Sequence, residues 1–269
     1  MIFCLSTYLT GQNRLTTAWL ERAAEAGFQR VEIFAARPSL EYRDRGQLAE
    51  LGQWFRDSPL KPHALHTPPE ANIAGPDRNL RREQCDEIKR AMEVLEYMPC
   101  RYVIQHFGDR DDFYHGKRVD AAYASLEELN PFAQERGAEI LLENGTSEFA
   151  APACIVRFLE LTRLSNNVSF DSGHAHLRGG FEDGFRSLEP HIRSIHVHDN
   201  DGLSDRHLLP QAGTIDWTLA MRFLRGHKLH HELALSAVIR DIGEWAHPAA
   251  AAHDALSRLM DIRIRDEEE

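Results

Sequence analysis

Short apolar runs bounded by turn residues recur along the chain, separated by longer stretches that read as helices. The runs Ile2–Leu5, Val31–Phe34, Pro62–His66, Tyr102–His106, Glu139–Glu143, Val168–Asp171, Ile192–His198 and about Leu229–Leu235 predict eight strands. Helices are expected over Arg14–Ala26, Arg45–Asp57, Leu80–Tyr97, Val119–Arg136, Pro152–Thr162, Phe181–Leu188, Trp217–Leu224 and Pro248–Met260. Gly27 and Gly137 stand where helices end, and Thr214 or Asp216 stands where one begins. The acidic stretch 265–269 reads as a solvated tail. A strand followed by a helix, eight times over, predicts an α/β protein with a closed (β/α)8 TIM barrel. The 269 residues suit one such domain spanning 1–269. No GxGxxG or GxxxxGK[ST] is present, so a doubly wound nucleotide-binding sheet loses its main support.

Composition narrows the function classes. Apolar content of 42% and charged content of 27% describe a globular chain able to bury a large core. A formal net charge of −11 argues against affinity built on long contacts with phosphate backbones, and so against a nucleic-acid partner. Arg78, Arg81 and Arg82 form a local basic patch, read as a solvated helix face. Cys4, Cys85, Cys100 and Cys154 are scattered with no CxxC, as expected of reduced thiols in the cytoplasm. Ile2–Leu5 is too short for the core of a secretion signal, and no apolar run approaches the roughly 20 residues of a membrane span. The anomaly is histidine, with 15 in the chain.

Many of those histidines fall in or just after predicted strands. In the seventh, His196 and His198 alternate with Ile195 and Val197, and two imidazoles on one face of a buried strand are costly without partners. Asp199, Asp201, Asp205 and His207 follow at once. Imidazole nitrogen and carboxylate oxygen are the ligands that zinc and manganese take. The other strands add Glu32, His66, His106, Glu143, Asp171 with His174 just beyond, and Glu232. One such residue alone reads as a satisfied core or loop group; a set spread over seven of eight strands does not. In a barrel of this kind the strand carboxyl ends form the active site. Carboxylates crowded there repel one another unless a cation compensates, and a divalent metal is the simplest compensation.

The pieces LHTPP, QHFGD, LLENG, FDSGHAHL, HVHDNDGLSDRHLLPQAGTIDW and HHEL sit at the ends of strands three to eight. With them the chain resembles, over essentially its whole length, the xylose-isomerase-like TIM barrels. That group includes sugar and sugar-phosphate isomerases and epimerases, inosose dehydratases and endonuclease IV. The resemblance implies a divalent metal (manganese, cobalt, magnesium or zinc) held by Glu143, Asp171, Glu232 and either His196 or His198. It implies a sugar or sugar-phosphate isomerase or epimerase working through a cis-enediolate, with Glu143 and Glu232 as acid and base. His174 would hold a substrate oxygen, and Glu32, His66 and His106 are expected to meet the substrate.

The same resemblance carries two alternatives. An endonuclease IV-like phosphodiester hydrolase would hold three zinc ions on His66, His106, Glu143, Asp171, His174, His196, Asp205, His207 and Glu232, so one to three ions per chain are expected. A metal-dependent dehydratase acting on a polyol or keto acid would use the same enolate chemistry. The acidic charge favours a small carbohydrate, as does the scarcity of basic and aromatic residues after the first two strands, Tyr8, Arg37, Tyr42 and Arg43 apart. A homodimer is compatible with such barrels, though no stretch marks an interface. The chain departs from the family pattern at Pro210-Gln211-Ala212-Gly213, where Pro-Gly-x-Gly is usual, and at His106-Phe107-Gly108, where His-Pro-Gly is usual. The Glu232 assignment rests on register, since a one-residue slip would turn it outward.

Overall fold

The computed structural model describes residues 1–109, 112–240 and 247–264. In chain order the elements are β1 (Ile2–Ser6), α1 (Thr17–Glu25), β2 (Arg30–Phe34), α2 (Arg45–Asp57), β3 (Lys61–His66), α3 (Arg78–Met92), β4 (Tyr102–His106) and α4 (Gly116–Gln134). They continue with β5 (Glu139–Glu143), α5 (Pro152–Thr162), β6 (Asn167–Asp171), α6 (Ser172–Leu177), α7 (Phe181–Leu188), β7 (Ile192–Val197), α8 (Trp217–Gly226), β8 (Ala234–Ala237) and α9 (Pro248–Met260). The strands are parallel and close in sequence order, β8 pairing with β1, into the TIM barrel that the alternation predicts. Side chains of Thr16, Asp44, Asp77 and Asp216 accept amide hydrogens at the starts of α1, α2, α3 and α8. Among the described residues no helix is long and apolar enough to cross a membrane.

Two apolar regions follow from the alternation of strand side chains. The large one lies between the sheet and its helices and includes Phe107, Phe149, Phe158, Phe170 and Phe185, all fully buried. The small one, Ala64, Tyr102, Ile104 and Leu141, fills the barrel interior. Two residues further along the same inward faces come His66, His106 and Glu143. The interior therefore changes from apolar to polar towards the carboxyl ends of the strands. Register carries this layer around the barrel: His106 pairs with Glu143, Asp171 with His196, His196 with Ser236, and Ser6 with Glu32.

The eighth strand differs from expectation. Residues from Leu229 to Glu232 form a turn, with the His230 N–H donating to His227 O and the Glu232 N–H to Leu229 O. Sheet pairing begins only where the Ile2 N–H donates to Leu233 O at 2.8 Å. The inward position of β8 is Ser236, beside His196 and Cys4. Glu232 is exposed at the amino end of β8, at the opposite end of the barrel from Glu143 and Asp171. It therefore neither binds a metal there nor serves as the second acid or base. A smaller difference is α6, where Asp171 Oδ1 accepts the His174 N–H at 2.7 Å and starts a helix of six residues.

Candidate metal centre

Glu143, at the end of β5 and 2% exposed, is the hub of the polar layer. Its Oε2 lies 3.0 Å from His66 Nε2 and 3.4 Å from His106 Nε2. Its Oε1 lies 2.9 Å from His196 Nδ1 and 3.8 Å from His174 Nδ1. Burial works against the charge of this carboxylate, but His196 and His106 beside it hold it well below the usual range. Asp171 is fully buried, with both oxygens about 3.0 Å from His198 Nε2 and one 3.6 Å from His196 Nδ1.

His196 is held from below. Its Nε2 lies 2.9 Å from Glu32 Oε2, and Glu32 also accepts hydrogen bonds from Ser6 Oγ at 2.9 Å and Ser236 Oγ at 3.0 Å. Glu32 is fully buried beneath His196 and, unlike His196 and Glu143, does not line the cavity above them. The expected substrate contact is corrected to a supporting one: Glu32 accepts a hydrogen bond from the Nε2–H and leaves Nδ1 aimed at Glu143 and Asp171. This carboxylate–imidazole arrangement fixes the tautomer of a metal-binding histidine. Burial opposes the charge of His196, yet Glu32 and Glu143 raise its pKa well above the ordinary value. A cation would replace the Nδ1 proton.

A second cluster stands beside the first. Asp205 Oδ2 lies 3.3 Å from His174 Nε2 and 3.3 Å from His207 Nε2. The His198 and His207 rings stack with centroids 3.9 Å apart and planes 17° from parallel. Burial opposes the charge of His174, but Asp171 and Asp205 push it up to about 10. Its Nδ1 donates to Asn144 O at 2.9 Å. Among the described residues, buried His198 Nδ1 and Asp205 Oδ1 have no hydrogen-bond partner, a costly state for polar groups. The geometry separates the two histidines of the seventh strand: His196 faces Glu143, and His198 faces Asp171 and His207.

Three sets of ligand atoms converge closely enough to hold an ion: His66, His106 and Glu143; Glu143, Asp171 and His174; and His174, His198, Asp205 and His207. Nitrogen and oxygen donors in these numbers, two of them orphaned and buried, fit a divalent transition metal. All of the expected ligands except Glu232 are brought together.

Local backbone explains the motif. A Cβ on Gly173 would come within 2.1 Å of the His198 ring, so DSGH needs glycine at this place. Asp199, a ligand by type, is instead a structural anchor. Its buried carboxylate accepts the N–H groups of Asn200, Gln211 and Ile215 and the Trp217 indole N–H, at 2.7–3.1 Å. That clasp holds the loop carrying Asp205 and His207. Asp201 is turned to solvent, where it caps Leu203 and Ser204. Gln211, at the position of the missing glycine, keeps a left-handed φ of 72° and still donates to Asp199. Sequence reasoning missed the clasp because its donors lie up to 18 residues downstream. It also missed Ser6 and Ser236, whose hydroxyls acquire a role only through strand register.

The clusters line a cavity of about 220 Å³ that opens at the carboxyl ends of the strands. Phe34, Tyr8 and the 145–147 turn form part of its wall.

The model of the xylose isomerase-like TIM barrel family matches residues 20–259. An uncharacterized protein of Methanocaldococcus jannaschii is 28% identical over 163 residues, which is 58% of this chain and 62% of that protein. Fructoselysine 3-epimerase of Escherichia coli O157:H7 is 25% identical over 268 residues, covering 91% of this chain and 92% of the enzyme. Among solved structures, a D-tagatose 3-epimerase-like protein superposes with a TM-score of 0.80 at 20% identity, over 97% of each chain. The IolI protein with a binding zinc atom gives 0.83 at 20% identity, over 97% of this chain and 98% of that one.

Proposed function

The chain belongs to the xylose isomerase-like TIM barrel family, and from that premise we propose that it is a metal-dependent isomerase or epimerase of a ketose sugar. The observation that carries the reading is Glu143, a buried carboxylate at the floor of a sugar-sized cavity with imidazoles on both oxygens. Kinship with fructoselysine 3-epimerase over 91% of the chain supports the substrate class.

Glu143, Asp171 and His196 Nδ1 would hold the principal ion, with Glu32 fixing the imidazole from behind. A cation held by these residues would supply polarisation of the sugar carbonyl and its neighbouring hydroxyl. Glu143 takes the proton from the carbon beside the carbonyl. His174, beside Glu143, would hold a substrate oxygen. With Glu232 outside the site, the proton returned to the other face needs a different donor. Asp205, on the far side of the His174 ring from Glu143, is held despite its burial as a carboxylate well below the usual range by His174 and His207, so the proton of this pair sits on His174, a described acid that lines the cavity and could return it.

A second reading, phosphoester hydrolysis on several ions, is favoured by the His66/His106/Glu143 and His174/His198/Asp205/His207 clusters. In that case Asp205 and His174 are both ligands, and His174 is unavailable for proton transfer. The two are separated on protein purified without chelators or nickel resin, by elemental mass spectrometry and by Glu143→Gln. About one ion per chain is expected, with kcat/KM on a responsive ketose falling roughly 100-fold or more in a variant of unchanged circular dichroism. Full activity in Glu143→Gln sinks the isomerase mechanism. Two or three zinc ions with phosphodiester cleavage establish the second reading.

A further inference from the structure

A second cavity, of about 470 Å³, adjoins the metal cavity and shares Tyr8, Phe34 and Pro69 with it. Tyr8 is the partition. Its ring lies 4.8 Å from Phe34 and 5.2 Å from His207, and its hydroxyl accepts a hydrogen bond from Arg240 Nη1 at 3.3 Å. The metal cavity has about 220 Å³, and the second adds about 470 Å³ beside it, a volume within the ~300–1,000 Å³ usual for ligand pockets. A free monosaccharide would leave the larger space unused.

The second cavity is lined by Arg37, Arg43 and Arg240 and by the carboxylates of Glu70 and Glu87. Arg37 is paired with Glu41 and Arg43 with Glu87, so the protein already neutralises those guanidinium groups. Tyr42 also bonds to Glu87. Arg240 differs: among the described residues its guanidinium meets the neutral Tyr8 hydroxyl. The Arg240 N–H donates to His207 O at 3.0 Å, which ties its position to a residue of the metal cavity. A guanidinium in this setting suits a carboxylate or phosphate, which it can bind with two parallel hydrogen bonds.

Resting on the isomerase reading, we propose that the substrate is a ketose conjugate, with the sugar over Glu143 and an arm passing Tyr8 that carries an anionic group to Arg240. The arm supplies affinity remote from the reacting carbon, and such affinity can be used to orient the sugar. Specificity would therefore reside in Tyr8 and Arg240, which adjoin His207 but belong to none of the ligand clusters.

The test compares a ketose joined through an amine to an arm ending in carboxylate, the same conjugate ending in amide, and a ketose phosphate. Each is assayed for turnover and titrated calorimetrically against metal-loaded wild type, Arg240→Ala and Arg240→Lys. The carboxylate conjugate is expected to exceed its amide at least tenfold in kcat/KM and in affinity. That ratio should collapse towards one in Arg240→Ala and partly recover in Arg240→Lys. If the phosphate alone shows the Arg240-dependent gain, the anionic group is a phosphate on a simple sugar and the conjugate is overturned. Equal ratios in wild type and Arg240→Ala overturn the assignment entirely. Absence of turnover on every sugar would count against the isomerase reading, while the affinity ratios would still decide the role of Arg240.

Discussion

Asp199→Asn is a small change in shape that should have a large effect. The Asp199 carboxylate is fully buried and accepts four hydrogens, two on each oxygen. An amide can accept on one side only. Its NH2 would face either Asn200 N–H with Ile215 N–H, or Gln211 N–H with the Trp217 indole, and neither pair can accept. Two hydrogen bonds to a charged group are lost, at roughly 1.5–3 kcal/mol each, so a cost of about 3–6 kcal/mol is expected. That is a large fraction of the ~5–15 kcal/mol that holds a domain folded. Because the clasp closes the loop carrying Asp205 and His207, the loss should be concentrated there. Urea unfolding gives the total, and amide exchange at Gln211 and Ile215 gives the local share. Occupancy of the His174/Asp205/His207 cluster should fall with it. A variant within 1 kcal/mol of wild type, with both amides as protected as before, would refute the clasp.

Other perturbations probe the support of the site and its boundary. Glu32→Gln keeps the shape beneath His196 but removes the charge that fixes its ring; metal affinity in a chelator competition should weaken about 10–100-fold, and an unchanged affinity would contradict the supporting role. Glu232→Ala should leave metal content and turnover alone and stability within about 0.5 kcal/mol, since the residue is exposed at the far end of the barrel; loss of metal would return it to the site. His63 is 9% exposed with its Nε2 unpartnered among the described residues, and burial pushes its pKa down to about 4. A depressed folded-state value means stability is intact above the unfolded pKa of roughly 6.5 and is lost as pH falls towards 4, by at most about 3 kcal/mol. The difference between His63→Gln and wild type in urea titrations should therefore change across that window and be flat above it; a parallel pair of curves would sink the prediction.

Where local pattern and tertiary pairing agree, the chain is legible. β4 and β5 lie where alternation and turn residues place them, because a buried parallel strand needs an apolar run of that length. The ligand types at the strand ends could be read for the same reason: one inward face repeats every second residue. The eighth strand shows the limit. LHHELALSAVI alternates over a longer span than the sheet uses, and only pairing with Cys4 and His196 selects Ser236 as the inward residue. That pairing spans the chain, so no local window contains it. The six residues of α6 are too few for helical periodicity to register. Asp199 carries the same chemical signature as a ligand, and the donors that claim it arrive only when the loop folds back.

The most direct measurement is proton exchange at carbon. Metal-loaded protein is incubated in D2O with candidate ketoses, free and conjugated, and followed by proton NMR. The account predicts that the hydrogen beside the carbonyl is replaced by deuterium while an epimer or isomer appears, and that Glu143→Gln does neither. Exchange that persists in Glu143→Gln, or no exchange with any ketose while a phosphodiester is cleaved, would contradict it.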